Sequence, residues 1–190
     1  MKSSLLIVFL CSLTFPAQRT ELWQDVPTDS GPVQLKSAIP GPAQLVIIRK
    51  ALKARGELDI QCADPEDGPQ WFDKVLFREL PISETEKALL VEAGEGCARG
   101  AQGSNGAMWV ARFSGDKLSF LATPEQKFEG WLYSVQSTTS HGLRDLVLGW
   151  HRGGAEVGLG YFRFDGNSYR QVGTAVLVSE DGTAKIVPDR

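Results

Sequence analysis

The sequence predicts a mainly β protein of the α+β class, built as an antiparallel sheet or sandwich with one amino-terminal amphipathic helix. Two patterns predict this class. After Gly56 the chain consists of short runs of strand-forming residues separated by turn residues, and a single stretch of helical periodicity precedes them. Of the 190 residues, 42% are hydrophobic and 23% are charged, which favours a globular domain over a disordered chain.

The amino terminus is typical of a secretory signal peptide, which we place at residues 1–18. Lys2 supplies a positive charge, and the apolar run Leu5–Phe15 follows it. A transmembrane helix needs roughly 20 apolar residues, so this run is too short to remain as a membrane span. Lipid attachment at Cys11 and a buried amino-terminal helix are the alternatives. We therefore expect a secreted or periplasmic protein.

The rest of the chain divides into an extended arm or linker, residues 19–41, and one β-rich domain, residues 42–190. Several prolines interrupt the arm, which disfavours regular structure. The net charge of −3 is unfavourable for nucleic acid, and no basic stripe interleaved with aromatic residues offsets it.

A helix is predicted at residues 42–55. Leu45, Ile48 and Leu52 recur at helical spacing, Pro42 suits the first turn, and Gly56 suits the position after the last. Four basic residues lie in its later half: Arg49, Lys50, Lys53 and Arg55. They form either a docking face for an anionic partner or a solvated face that complements the helix dipole.

Eight strands are predicted in the domain. They are Val75–Leu80, Ala88–Ala93, Met108–Phe113, Leu118–Ala122, Gly130–Val135, Asp145–Trp150, Val157–Phe164 and Thr174–Val178.

Glycine-centred turns predict two hairpins, at Gly115 and Gly166, with a weaker third copy at Glu180-Asp181-Gly182. The first two glycines lie 51 residues apart, which raises an incomplete propeller-like repeat as an alternative. The chain has room for about three blades, whereas propellers usually have four or more. An open sheet or sandwich is the more economical architecture.

Two cysteines remain after removal of the signal peptide, Cys62 and Cys97. In an oxidising compartment they can form one disulfide, and two buried free thiols are the alternative. Neither belongs to a CxxC motif, so redox chemistry has no support.

The chain has two histidines, His141 and His151, and Asp145 lies between them. This grouping suggests a zinc site, or a catalytic group in which Ser140 is the nucleophile and a histidine is the base. On an extended strand, however, Asp145 and His151 lie about 20 Å apart, at ~3.3 Å per residue. Ordinary hydrogen bonding by both histidines is the competing interpretation.

Aromatic residues indicate either a recognition surface or core packing, since tyrosine and tryptophan serve both purposes. They are Trp109, Trp131, Tyr133, Trp150, Tyr161, Phe162 and Tyr169. The glycine-rich stretch Gly94–Gly106 is either a loop near such a surface or a plain connector.

Two segments carry a resemblance to a family: HGLRDLVLGWH, residues 141–151, and YFRFDGNSY, residues 161–169. They resemble uncharacterised exported bacterial β-rich proteins with a D-L-V-x-G strand before an F-D-G-x-x-Y hairpin. They are also similar to half of a blade of the FG-GAP or VCBS type. The resemblance covers roughly residues 90–175 and implies a secreted β module for surface recognition. The acidic calcium loop of FG-GAP repeats is missing from this sequence, which argues against metal-dependent ligand binding. The sequence also contains no cofactor fingerprint or metal cluster, so no cofactor is expected.

These observations predict an exported, non-enzymatic binding or structural module of the cell envelope or extracellular space. An unknown protein, peptide or glycan is the expected partner. The candidate binding residues are His141, Asp145, Trp150, His151, Tyr161 and Tyr169. Two alternatives stay open: a small extracytoplasmic hydrolase or metalloprotein centred on His141, Asp145 and His151, and an inhibitor or immunity-type protein.

Overall fold

The structure is a computed structural model that describes residues 21–29, 33–57, 72, 74–93, 105–153, 156–180 and 182–189. The expected signal peptide, both cysteines of the expected disulfide and most of the glycine-rich stretch lie outside these residues. None of the helices in the described ranges is long and apolar enough to cross a membrane.

The predicted helix is present as α1 (Pro42–Ala54). The Gly41 N–H donates to Oε1 of Gln44 at 3.0 Å, which satisfies one of the N–H groups that a helix start leaves open. Gly56 follows the last turn with a φ of 71°, a conformation in which glycine avoids the steric cost of a side chain. The helix buries Ile48 and Leu52.

In the described ranges nine antiparallel strands form one sheet, which confirms the predicted mainly β class. The strands are β1 (Leu76–Pro81), β2 (Lys87–Glu92), β3 (Gly106–Ser114), β4 (Lys117–Ala122), β5 (Glu129–Ser140), β6 (Leu143–Gly153), β7 (Glu156–Phe164), β8 (Tyr169–Glu180) and β9 (Thr183–Pro188). Their order is β1-β2-β3-β5-β6-β7-β8-β9, and β4 pairs with β3 beside this path. A short 3₁₀ helix (Pro124–Gln126) joins β4 to β5. The strands form one continuous sheet and not a set of separate blades.

One face of the sheet, here called the inner face, encloses the largest apolar cluster. Leu90, Leu146 and Phe162 come from distant strands, and all three are fully buried in this cluster. The sheet folds over on itself, since the Arg144 N–H on β6 donates to the Ile82 carbonyl after β1 at 2.7 Å. The alternation of side chains along each strand places every second residue inside.

The opposite, outer face is covered in two places. Helix α1 packs over β1 to β4, where Ile48 and Leu52 contact the cluster around Trp109. Residues 21–29 pack over β5 to β9 and bury Trp23 and Val26. The Tyr133 hydroxyl donates to the Pro27 carbonyl at 2.7 Å and fixes this segment. The described part of the predicted arm therefore lies on the sheet.

Every predicted strand overlaps an observed one, and β9 is an additional strand. The turn near Gly182 joins β8 to β9. The sequence prediction also ended β5 at Val135, whereas the strand continues through polar residues to Ser140. Both differences arise where few large apolar side chains indicate a strand.

Candidate functional site

A groove of about 460 Å³ lies at the end of the sheet where β1, β3 and β5 begin. We call it the mouth groove. Its apolar lining comes from the arm (Val33 and Leu35), from the inner face (Leu76 and Met108) and from two small residues of the cluster around Trp109 (Ala93 and Ala107). Met108 is fully buried in the inner cluster, so the groove opens directly onto the core.

The arm closes the side of the groove between β1 and β5. The Val33 N–H donates to the Leu132 carbonyl at 3.0 Å on β5. Further along the arm, the Ala38 N–H donates to the Phe77 carbonyl at 2.9 Å on β1. These bonds hold Leu35 between the two strands, and they give an irregular segment a fixed place in the wall.

An ion pair lies on the polar rim of the groove. Arg78 on β1 donates from Nε to Oε2 of Glu92 on β2 at 3.1 Å. The two side chains are 33% and 25% exposed, so both are partly removed from water. Arg78 also donates from Nη1 to the Ser37 hydroxyl at 3.5 Å, which links the pair to the arm.

Trp131 and His151 form the other side of the rim. Their rings lie 5.1 Å apart between centroids at an angle of 56°. The Asn105 side chain makes two hydrogen bonds to the backbone of His151. Its Oδ1 accepts from the His151 N–H at 2.9 Å, and its Nδ2 donates to the His151 carbonyl at 3.2 Å. The buried indole N–H of Trp131 has no acceptor among the described residues.

Trp150 lies flat on the neighbouring strand because β7 carries glycines beneath it. A Cβ at Gly158 would approach Cε2 of Trp150 to 2.3 Å, and one at Gly160 would approach Cζ3 to 3.2 Å. Only glycine leaves room for an indole at this distance. Trp150 is therefore a partly buried packing residue next to the groove, although it does not line it.

A second polar cluster lies on the outer face around Asp145, which is 1% exposed. Its Oδ2 accepts from the Thr138 hydroxyl at 3.0 Å, the Tyr161 hydroxyl at 3.3 Å and the Arg163 Nε at 3.3 Å. Its Oδ1 is buried and has no partner among the described residues. Burial is the main cause that raises the pKa of Tyr161.

The residues of the alternative metal or catalytic group, His141, Asp145 and His151, are not brought together. His141 is exposed in the turn between β5 and β6 with a φ of 49°, Asp145 is buried on the outer face, and His151 lies at the far end of β6. The described residues contain no group of three or more His, Cys, Asp or Glu side chains arranged to hold a metal ion.

The two candidate tyrosines are core residues, at 2% exposure for Tyr161 and 0% for Tyr169. Tyr161 packs edge to face against Trp23, with ring centroids 5.7 Å apart. The Tyr169 hydroxyl donates to the Arg144 carbonyl at 2.9 Å, and burial raises the pKa of this phenol. Of the candidate binding residues, only His151 lines the mouth groove.

Sequence reasoning missed most of the groove. Arg78 and Glu92 occur among alternating apolar residues of β1 and β2, at positions that face inward. An inward-facing charged residue in such a pattern is a signal that a strand has reached the end of the core. The spacing Gly158-x-Gly160 after Trp150 also indicated a close approach between side chain and backbone.

Comparisons with family models, curated proteins and solved structures find no match to this chain.

Proposed function

We propose that this protein is an exported, non-enzymatic binding module whose ligand occupies the mouth groove. The observation that carries the proposal is the groove itself, which combines an apolar wall with a polar rim in a volume of about 460 Å³. Small-molecule sites in proteins are typically clefts of about 300–1,000 Å³ with mostly apolar walls and a few polar groups.

Three apolar side chains at the groove, those of Val33, Leu35 and Leu76, are incompletely buried, which leaves contact area for a ligand. Leu76 and Leu80 lie on the same face of β1, yet Leu80 is 0% exposed and Leu76 is 43% exposed. The inner face thus continues past the end of the packed core into the groove. A bound apolar group would complete the burial of Leu76, and burial of apolar area favours association.

Export and membership of the exported β-rich family are also part of this proposal. The basic and apolar pattern of residues 1–18 and the two motif segments support them. Amino-terminal sequencing of the native protein tests export. A mature chain that begins near residue 19 is the expected result, and a native chain that retains Met1 in the cytosol would contradict export.

The binding proposal can be tested with N-phenyl-1-naphthylamine, an uncharged fluorescent probe with an apolar body. We expect saturable binding of one probe per chain. Full burial of a leucine side chain contributes about 1.5–3 kcal/mol. Because 43% of Leu76 remains to be covered, Leu76→Ser should weaken binding by about 1 kcal/mol, or about fivefold.

Val187→Ser is the matched control. Val187 on β9 has 45% exposure, close to that of Leu76, but it lies at the opposite end of the strand order. We expect it to leave probe affinity unchanged within twofold. No saturable binding to the folded wild type, or equal losses in the two variants, would contradict a ligand in the mouth groove.

A further inference from the structure

The charges of the mouth groove limit which ligands it can accept. Among the described residues that line it, Arg78 carries the positive charge and Glu92 the negative charge, and the two neutralise each other through the 3.1 Å contact. The remaining polar lining residues are Gln34, Trp131 and His151.

The Arg78–Glu92 ion pair lies where a ligand in the groove would contact it. Leu76, Arg78 and Glu92 all face inward at the end of the core, since they alternate with outward-facing residues along β1 and β2. A ligand that covers Leu76 therefore lies beside the ion pair. A charged ligand would lose hydration there without gaining an unpaired opposite charge, and this loss opposes binding. An uncharged ligand avoids that cost.

We infer that the mouth groove takes an uncharged, amphipathic small molecule, and that the Arg78–Glu92 ion pair excludes charged analogues. This inference rests on the proposed binding function. The apolar part of the ligand lies against Leu35, Leu76 and Met108, and its polar part faces the rim.

Two probes with the same anilinonaphthalene body test the inference. N-phenyl-1-naphthylamine is uncharged, and 8-anilino-1-naphthalenesulfonate carries a sulfonate. In titrations of the folded wild type we expect the uncharged probe to bind at least about tenfold more tightly. This corresponds to about 1.4 kcal/mol, which is a modest desolvation cost for a charged group.

Glu92→Gln should open the groove to the anion because it leaves the Arg78 guanidinium without its carboxylate. We expect the affinity for the sulfonate probe to rise about fivefold to tenfold relative to the affinity for the uncharged probe. The double variant Arg78→Gln/Glu92→Gln restores a neutral rim and should return the wild-type preference. Thermal unfolding of each variant verifies that it is folded.

Glu79→Gln is the matched control, since Glu79 pairs with Lys87 across the same two strands but does not line the groove. It should leave both affinities unchanged within twofold.

The outcomes separate this inference from the proposed function. If neither probe binds the folded protein, the proposed function fails. If both bind but the sulfonate binds equally or more tightly, the inference is overturned and the binding function stands. If Glu92→Gln leaves the preference unchanged, or if Glu79→Gln alters it equally, the ion pair does not set the selectivity and the inference is also overturned.

Discussion

The Asp145 cluster makes an asymmetric prediction about stability, because its two charged members differ greatly in exposure. Asp145 is 1% exposed, whereas the Arg163 side chain is 47% exposed. Arg163→Gln leaves a buried carboxylate without a cation, and removal of one partner of a buried ion pair typically costs 3–5 kcal/mol. Two hydroxyl donors, from Thr138 and Tyr161, remain on Oδ2, so we expect a loss of about 3 kcal/mol.

The reciprocal change should cost less. In Asp145→Asn the amide oxygen can take the place of Oδ2, and the half-exposed Arg163 can turn to water. We expect a loss of about 1 kcal/mol from weaker hydrogen bonds. Arg170→Gln is the control, since Arg170 and Asp165 form an exposed pair. Exposed ion pairs contribute about 0 to 1 kcal/mol to the free energy of unfolding, so Arg170→Gln should cost no more than this.

Urea unfolding followed by circular dichroism measures all three free energies. With a urea dependence of about 2 kcal/mol per molar, Arg163→Gln should lower the midpoint by about 1.5 M and Asp145→Asn by about 0.5 M. If Asp145→Asn costs as much as Arg163→Gln or more, then exposure does not decide the energetics of this pair and the reasoning is refuted.

Two further predictions concern a close contact and a titration. Gly158→Ala places a Cβ 2.3 Å from Cε2 of Trp150. Because the indole must then shift, the variant should lower the free energy of unfolding, measured with urea, by about 1–3 kcal/mol. If the same substitution costs as much in a Trp150→Leu background, a clash with the indole is not the cause. The pKa of the Asp165 carboxyl is lowered from 3.8 to about 2, first by the Ser168 N–H. The stability it contributes should therefore be present above pH 3.8 and lost as the pH falls towards 2. Carboxyl chemical shifts measured against pH test this, and a midpoint at 3.8 in the folded protein would contradict it.

The fold was largely predictable because its elements have strong local signals. The spacing of Ile48 and Leu52 indicated the helix, and turn glycines such as Gly166 indicated the hairpins. Strand β9 was harder to predict because its burial alternates only between exposed and partly buried residues. Its place at the sheet edge depends on pairing with β8, a contact that no local pattern specifies.

The candidate site was much less predictable than the fold. The sequence drew attention to His141, Asp145 and His151 because they are rare residue types close together in the chain. In the structure His141 lies in the turn before β6, Asp145 lies near the start of β6 and His151 lies near its end. The mouth groove combines the arm with residues of five strands, which are β1, β2, β3, β5 and β6. Arg78 and Glu92 meet only through the β1–β2 register, which pairs Leu76 with Glu92.

The most direct test of ligand binding in the mouth groove is a map of backbone amide chemical shifts during titration of the folded protein with N-phenyl-1-naphthylamine. We predict that the largest changes cluster at Gln34, Leu76, Met108 and Trp131, while the amides of β9 hardly move. Changes centred on β8 and β9, or spread evenly over the sheet, would contradict the account.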